Sequence, residues 1–591
     1  METIWKEQGF SRNNLDRLYK YTGGKITPIT LRVLLNRNID EPEKLKEFLH
    51  GGLEQLHDPY QMKDMDKGIK IMCDAIKNHE KIMIYGDYDA DGVTSTAILY
   101  KAIKKCGGDV AYHIPHRENE GYGMSIERIE IIAEDGYDLI ISCDNGISAI
   151  NEVKRAKELG LKVIVTDHHE LAFEEIDGVR KTILPESDAL INPKQEDCKY
   201  PFKNLCGAGI AYKYALALYD ALNINKKDTN DILELAAIGT ICDVVDLVDE
   251  NRIIAKEGLK ILSETQNTGL RILKSIIGIE GEVSCYNVGF NIGPCINATG
   301  RLETALLSLR LLISDSETEA SEIATRVFNL NKERQDLTTD SVDEVCEEID
   351  NSSLINDKVL VVYNKRIHES IAGIVAGRVR ERYGKPAFVI TEGKDMPKGS
   401  GRSIDEYNMF EEMLKCRDYL HKFGGHPMAA GLSIEEDKID DFRKAINENC
   451  MLTEEDLKVK IKVDSPINLS YVNETVVDEF KRLEPFGKGN PAPVLMAAKV
   501  KVNSIRFMGS EQQHVKFNLS VNGMNRGIDG LFFNKRNEVF ELLQQVYGDD
   551  LNSNIDRPRG LCVNILFQPD VNEYMGRSTI QLKIKDMKLC H

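Results

Sequence analysis

The sequence predicts a multidomain α/β protein ending in a small β-barrel, and three observations carry that prediction. First, between residues 81 and 170 three short apolar runs, KIMIYGDYDADG, YDLIISCDNG and KVIVTDHHE, each break into Asp, Gly or His, and helical stretches follow at least the first two. Strands alternating with helices make a parallel sheet, and ligands bind at the C-terminal edges of its strands. Second, a further α/β unit, KVLVVY to PAFVI, begins after a long polar, charged, helix-favouring stretch. Third, the chain from about residue 460 carries alternating runs such as APVLMAAKVKVNSIRF and HVKFNLSVNG, the period of antiparallel strands.

In chain order, residues 1–60 read as short polar helices, a cap on the domain that follows. Residues 61–315 form the first α/β domain. Within it, helices are expected over Asp64 to His79, Val93 to Cys106, Ala149 to Leu159, Ala208 to Ala221 and Asp231 to Val245, and a strand over Asp109 to Pro115. Gly92 is expected to permit a tight strand-to-helix turn. Residues 316–352 are one or two connecting helices, 353–455 a smaller α/β domain, and 456–591 the barrel.

At 591 residues, three or four domains are expected. No apolar run of about 18 residues indicates a membrane span. The start lacks the basic-then-apolar pattern of a signal peptide. Thirteen cysteines without a CxxC pair fit core thiols in a reducing cytoplasm better than a zinc ribbon. The net charge of −19 argues against nucleic acid, but it is unevenly spread. From Lys460 onward there are 18 basic and 15 acidic residues, so the last quarter is a module of different electrostatic character. Every GK is followed by Ile, Pro, Asp or Gly, so no Walker-type phosphate loop is present and ATP-driven unwinding is not indicated.

The residues due at the strand edges are Asp87, Asp89, Asp91, Asp144, Asp167, His168 and His169. Carboxylates and imidazoles so crowded repel one another without a cation, so the pattern points to bound metal, expected as two ions. Asp243, in an otherwise apolar helix, is either a further ligand or a helix-end Asp facing water. Oxygen-rich ligands with one or two imidazoles favour Mn²⁺ first and Mg²⁺ as a substitute. Two such ions about 3.5–4 Å apart can generate a nucleophile from water, neutralise charge and stabilise a leaving oxygen.

DYDADG, DNGI, DHHE and the Asp of GTICDVVDL resemble the four motifs of the DHH phosphoesterases, and GSGRS and GGHPMAAG resemble the DHHA1-type domain that accompanies them. NEGYG, LINPKQ, NATGRL and LEPFGKGNPAPVL resemble the RecJ-type branch of that family, bacterial 5′→3′ exonucleases specific for single-stranded DNA. The resemblance implies that Asp87, Asp89 and Asp91 are ligands or their close supports, and leaves the assignment among the three open. It implies that Asp144 bridges the two ions, that His168 and Asp243 bind the second, and that Asp167 and His169 share the site, His169 facing the scissile phosphate. Asp144 and His169 are thereby the catalytic candidates.

The glycine-rich stretches read as phosphate holders, because bare backbone N–H groups approach oxygen closely. Arg402 beside Ser403 is a candidate bidentate clamp. His426, after Gly425, is a turn residue unless the resemblance makes it a phosphate ligand. Arg301 and Asn297 in NATGRL, and Arg117 and Tyr122 around the EGYG turn, are further candidates, each with a structural alternative. Arg506, Phe507, Lys516, Phe517, Phe532 and Phe533 give the barrel the cations and aromatics a single strand needs, although some of those rings must be core. Three departures stand out. Tyr85-Gly86-Asp87 occupies a neighbourhood where many DHH relatives carry a His, Cys295 stands where an Arg is usual, and HESIAG lacks a Gly after Glu369. The partners implied are single-stranded DNA, a separate helicase and a single-strand-binding protein, acting on a cytoplasmic monomer. A small-substrate DHH phosphodiesterase and a non-catalytic single-strand binder are the alternatives.

Overall fold

The computed structural model describes residues 3–117, 119–176, 179–225, 229–574 and 577–590. They fall into two compact units, one of residues 53–459 and one joining residues 3–52 to the chain from 460 onward.

The first unit opens on a five-stranded, all-parallel sheet. Strand Lys81–Tyr85 lies between Asp109–His113 and Leu139–Cys143, and Lys162–Thr166 and Ala189–Ile191 continue the sheet. Its strands are apolar at nearly every position because both faces are covered. Ile82, Ile84, Leu139, Ile141 and Ile164 enter the larger core, while Met83, Tyr85, Ile140, Val163 and Val165 enter a second core on the opposite face. The expected helices are present, within a few residues, as Met65–Lys77, Ala90–Lys105, Ile150–Glu158, Gly207–Ala221 and Asn230–Cys242. Ala189–Ile191, the edge strand, was not expected from the sequence because three residues are too few for a period.

One expectation about Gly92 changes. The helix already starts at Ala90, with Asp89 as its N-cap accepting from Gly92 N–H (3.0 Å). Gly92 therefore sits in the first helical turn, and its use is close approach. A Cβ there would lie 2.6 Å from both the Cβ and the carbonyl oxygen of Asp87.

The connecting stretch is a single helix, Glu317–Asp350, capped by Ser316 and with Glu317 and Glu319 in its first turn. Its first half (Ala320, Ala324, Val327) packs into the core of the parallel-sheet domain. Its second half (Val345, Ile349) packs into the core beneath the next sheet. That sheet runs in the order Lys422–His426, Ala429–Ser433, Lys398–Arg402, Ala387–Thr391, Leu360–Tyr363, with only the last pair parallel. Both glycine-rich stretches, expected as phosphate holders, form antiparallel strands.

In the second unit, strands Leu495–Met508, His514–Ser520, Ile528–Phe532, Arg577–Leu589 and Cys562–Tyr574 close into a five-stranded barrel. Leu495–Met508 is long enough, with register shifts along it, to pair with both His514–Ser520 and Cys562–Tyr574. Here the N-terminal expectation is corrected. Residues 3–52 belong to one compact unit with the chain from 460 onward. Leu18, Leu31, Val33, Leu34 and Leu45 share one core with Val476, Phe480, Leu495, Phe517 and Ile565. Buried polar groups reinforce this: Glu479 accepts from Thr27 N–H (2.9 Å) and Thr30 Oγ1 (2.5 Å), and Arg37 pairs with Asp464 at 3.2 Å. Among the described residues no helix is long and apolar enough to cross a membrane.

Candidate metal centre and phosphate cleft

The C-terminal ends of three neighbouring strands deliver Asp87 to Asp91, Asp144, and Asp167 to His169 to one place. Asp144 follows its strand directly and holds φ +61°, a left-handed conformation that Asp tolerates better than most residues. Asp243, at the C-terminal end of Asn230–Cys242, joins them from another helix, and the next residue, Val244, also has positive φ (+57°).

Three overlapping groups have donor atoms within 4.8 Å of one another: Asp87, Asp89 and Asp144; Asp91, His168 and Asp243; and Asp144, His168 and His169. Asp144 and His168 each belong to two of them. Asp87, Asp91 and Asp144 are about 2 % exposed, and Asp87 Oδ1 and Asp144 Oδ1 have no hydrogen-bond partner. His168 Nε2 lies 3.0 Å from Asp144 Oδ1 without the alignment of a hydrogen bond. Orphaned buried carboxylate oxygens converging with an imidazole nitrogen are what a divalent cation satisfies, so the donor set fits one.

The protonation equilibria point the same way. Burial, then the neighbouring carboxylates, push Asp87 and Asp144 well above the usual carboxylate range. Burial, Asp91 and Asp89 raise Asp243 to about 8. Burial holds His168 low, which keeps it a neutral ligand. His169 differs: burial opposes its charge, but the hydrogen bond and the charge of Asp167 win and lift it to about 9.

Two carboxylates of the expected ligand set are committed elsewhere to different degrees. Asp167 stands in none of the three groups. Its Oδ1 accepts from His168 N–H (2.7 Å), His169 N–H (3.1 Å) and His169 Nδ1 (2.7 Å), and its Oδ2 from Ile147 N–H (2.9 Å). Asp167 therefore orients His169 rather than offering a free oxygen. Asp91 accepts from Gly207 and Ala208 N–H (2.7 and 2.8 Å) at the N-terminus of helix Gly207–Ala221, yet still faces His168 at 3.8 Å. That helix reaches the acids because Gly207 has no side chain; a Cβ there would sit 2.7 Å from Asp144 Cβ.

Beside this centre lies a cleft of about 660 Å³, lined by Arg117 and Tyr122 from one domain and Lys398, Ser400, Lys422 and Gly424 from the other. Tyr122 joins the two features, its hydroxyl standing 3.2 Å from His169 Nε2. Strand register explains the cleft. Lys398, Ser433 and Lys422 form one row across three strands; Ser400, Gly431 and Gly424 the next; Arg402, Ala429 and His426 the third. One face thus carries basic side chains at both ends, with Lys398 paired to Glu369 of the cleft lining at 2.8 Å, and is bare in the middle. Lys398, Ser400 and Lys422 were not among the expected residues; read at a period of two, KGSGR and KFGGH would have offered them.

The other candidates divide. Arg402 bonds its own Gly401 carbonyl (2.8 Å), and burial, Arg380 and Arg117 lower its pKa. Gly425 has no room for a side chain, with Ala429 O 2.5 Å from its would-be Cβ. Ser403 is corrected: it is buried, its hydroxyl donates to Tyr407 O (2.6 Å) and its N–H to Met428 O (2.9 Å), leaving nothing for a phosphate. Asn297 Oδ1 accepts from Ala90 N–H (2.8 Å), pinning the helix that carries Asp91. Arg301 donates to Ser370 O (2.7 Å), tying the two domains. Arg117 lies over the Tyr88 ring at 5.1 Å. In the barrel, Phe517 and Phe532 are core and Phe507 is partly buried, whereas Phe533 is exposed against His514.

A parallel sheet with acids and imidazoles at its edge, joined by one helix to a second domain with a basic face, defines a phosphoesterase of the DHH type. The family models agree: "DHH family, N-terminal domain" matches residues 81–240, "DHHA1 domain" 356–451 and "RecJ OB domain" 463–586. The single-stranded-DNA-specific exonuclease RecJ of Bacillus subtilis is 38% identical over 95% of this chain and 68% of its own length. The Escherichia coli protein of that name is 30% identical over 95% and 96%. A crystal structure of RecJ with Mn²⁺ from Thermus thermophilus superposes with a TM-score of 0.82 at 26% identity, covering all of this chain and 80% of that one. The chain belongs to the RecJ family of single-stranded-DNA-specific exonucleases.

Proposed function

We propose that this chain removes nucleotides one at a time from the 5′ end of single-stranded DNA, in repair and recombination. The observation that carries the reading is the junction of the two features: orphaned Asp87 and Asp144 oxygens at the strand edges, and, one Tyr122 side chain away, a cationic face shaped for phosphate. Asp87, Asp89 and Asp144 would hold one divalent cation and Asp91, His168 and Asp243 a second, with Asp144 shared. Two such ions, Mn²⁺ before Mg²⁺, supply charge neutralisation and activation of water at the scissile phosphodiester.

The chain's own groups do the rest. Arg402, His426, Lys398 and Lys422 receive the 5′ phosphate, with Ser400 and the bare Gly424 and Gly431 beneath it. His169, oriented by Asp167, sets Nε2 beside the Tyr122 hydroxyl (3.2 Å), where it would meet the scissile phosphate. A phosphate held on the face would leave the next phosphodiester near the strand edges; the 5′→3′ direction itself comes from the family resemblance. A helicase and a single-strand-binding protein supplying the strand to a cytoplasmic monomer complete the reading.

The test is degradation of a long 5′-phosphorylated single strand with Mn²⁺, by the wild type and by Asp144→Ala. Stepwise shortening by the wild type, with hydrolysis abolished and strand binding retained in the variant, is expected. A preference for dinucleotides supports a small-substrate phosphodiesterase instead, and retardation without cleavage a binding protein. Near-normal turnover by Asp144→Ala overturns the scheme.

A further inference from the structure

Tyr286 and Phe290 are 65 % and 63 % exposed, and their rings stack on each other with centroids 4.9 Å apart and planes 26° from parallel. Two large rings displayed to solvent and already parallel offer a flat π-surface with nothing of the described protein upon it. Their place in the fold gives that surface a direction. Tyr286 sits on helix Cys285–Asn287 and Phe290 in the π-helical turn that follows it, Val288–Ile292, which runs into helix Gly293–Leu302. Such turns insert a residue and re-aim the positions on either side. Along this continuous helix the residues left unburied include 286, 290, 294, 297 and 301, a spacing of four, four, three and four, which is one face. Positions between them, such as Val288, Ile292, Cys295 and Ile296, are core.

One end of that face is at the metal centre. Asn297 holds Ala90 N–H, next to Asp89 and Asp91. Gly300 packs on the Tyr88 carbonyl, and Gly293 on the Cys242 sulfur, next to Asp243. The helix thus packs against the segments that carry Asp89, Asp91 and Asp243, and Phe290 stands roughly 10 Å along its axis from Asn297. Beside the same helix the connecting helix offers Arg334, half-buried, bonded to Asn331 Oδ1 at 2.6 Å and without a carboxylate partner among the described residues.

We propose that Tyr286 and Phe290 form a base-stacking platform for the part of the single strand that trails the nucleotide being removed. The inference rests on the reading of the chain as a single-strand exonuclease and adds to it the path of the strand. Bases stack on aromatic faces whatever their identity, so such a platform holds a strand without reading its sequence. It also favours a single strand over a duplex, whose internal bases are already stacked on both faces. Arg334 lies where it can meet the backbone between the platform and Arg301.

Kinetics at two substrate lengths test this, using the full chain with Mn²⁺. Tyr286→Ala with Phe290→Ala is compared with the wild type on a 5′-phosphorylated 12-mer and a trinucleotide. A roughly tenfold rise in KM on the 12-mer, the scale of one stacked base, is expected with kcat held within about twofold and a smaller change on the trinucleotide. Tyr286→Phe with Phe290→Tyr, which keeps both rings, should restore the 12-mer KM. A 2-aminopurine placed three nucleotides from the 5′ end should be quenched on binding in an Asp144→Ala background, and not when both rings are also removed. A 12-mer KM within twofold of wild type, or an equal loss at both lengths, overturns the proposal. So does a variant altered only when a single-strand-binding protein is present, which would make the surface a protein contact. A wild type that leaves the 12-mer intact while cleaving the trinucleotide overturns the functional reading, and this inference with it.

Discussion

Asp167 and Asp144 stand on neighbouring strands with similar burial, yet their surroundings give them opposite characters. Four N–H groups and the His169 charge satisfy Asp167 and hold it below the usual carboxylate range against burial, whereas Asp144 keeps an oxygen with no donor and is pushed up. The same accounting separates Ser403, fully spent on its own chain, from Arg402, whose guanidinium bonds its own Gly401 carbonyl and keeps further N–H groups for a ligand. Arg402→Ala should therefore raise KM for 5′-phosphorylated strands roughly 10- to 100-fold, the scale of a charge-assisted bond, and change 5′-hydroxyl strands far less. Paired kinetics on the two substrates check this, and equal losses would remove Arg402 from the phosphate site. Away from the centre, Glu234 is 1 % exposed, has an unpartnered Oε2 and is lifted by burial to about 7. A carboxyl raised in the folded state binds its proton more tightly there than when unfolded. Its stabilising share is full below the unfolded value near 4.5 and is lost as pH rises toward 7. Glu234→Gln should thus leave stability nearly unchanged near pH 4.5 and raise it by up to about 3 kcal/mol at about pH 8, read by urea unfolding at the two values.

At the scale of elements, the centre depends on helices coming closer to carboxylates than side chains ordinarily allow. Helix Gly207–Ala221 presents its first N–H groups to Asp91 and its bare first residue to Asp144. Gly207→Ala should push that helix away from both acids and lower Mn²⁺ affinity and turnover at least about tenfold, without touching a ligand. Isothermal titration with Mn²⁺ and a turnover assay check this, and wild-type affinity would show that the helix yields. None of this was readable from Gly207 itself, because sequence spacing records what a chain segment is and not what approaches it. The three strand ends were readable: each apolar run is short, ends in a breaker and places its acid close after the strand. Asp243 was readable through its cost, as an acid at the end of an apolar helix. The cleft face was only half readable. Glycine at alternate positions of KGSGRS and in FGGHPMAAG looks like a loop, since glycine weakens strands, and only pairing with neighbours makes it a flat floor.

At the scale of the molecule, the chain's two ends belong to one unit, and that has a consequence for any shortened form. The first 50 or so residues are too few to bury a core alone, and their apolar side chains, Leu18, Leu31, Leu34 and Leu45 among them, are buried against residues beyond 460. Nothing in the polar helical pattern of residues 1–60 revealed this, because a helix's apolar stripe does not name the surface that covers it. Removing residues 460–591 alone should leave that stripe exposed, so a chain of residues 1–459 should aggregate or be trimmed by protease near residue 52. Removing residues 1–52 alone should strip the barrel unit of part of its core, at about 2–5 kcal/mol for each large apolar side chain taken out. A chain of residues 53–459 keeps four of the five cores intact, together with the metal centre and the phosphate cleft. It should fold, bind Mn²⁺ and cleave short oligonucleotides. Limited proteolysis with mass spectrometry, run on all three forms beside the full chain, decides the matter. A stable chain of residues 1–459 with its N-terminus protected would show that the first 52 residues find cover elsewhere.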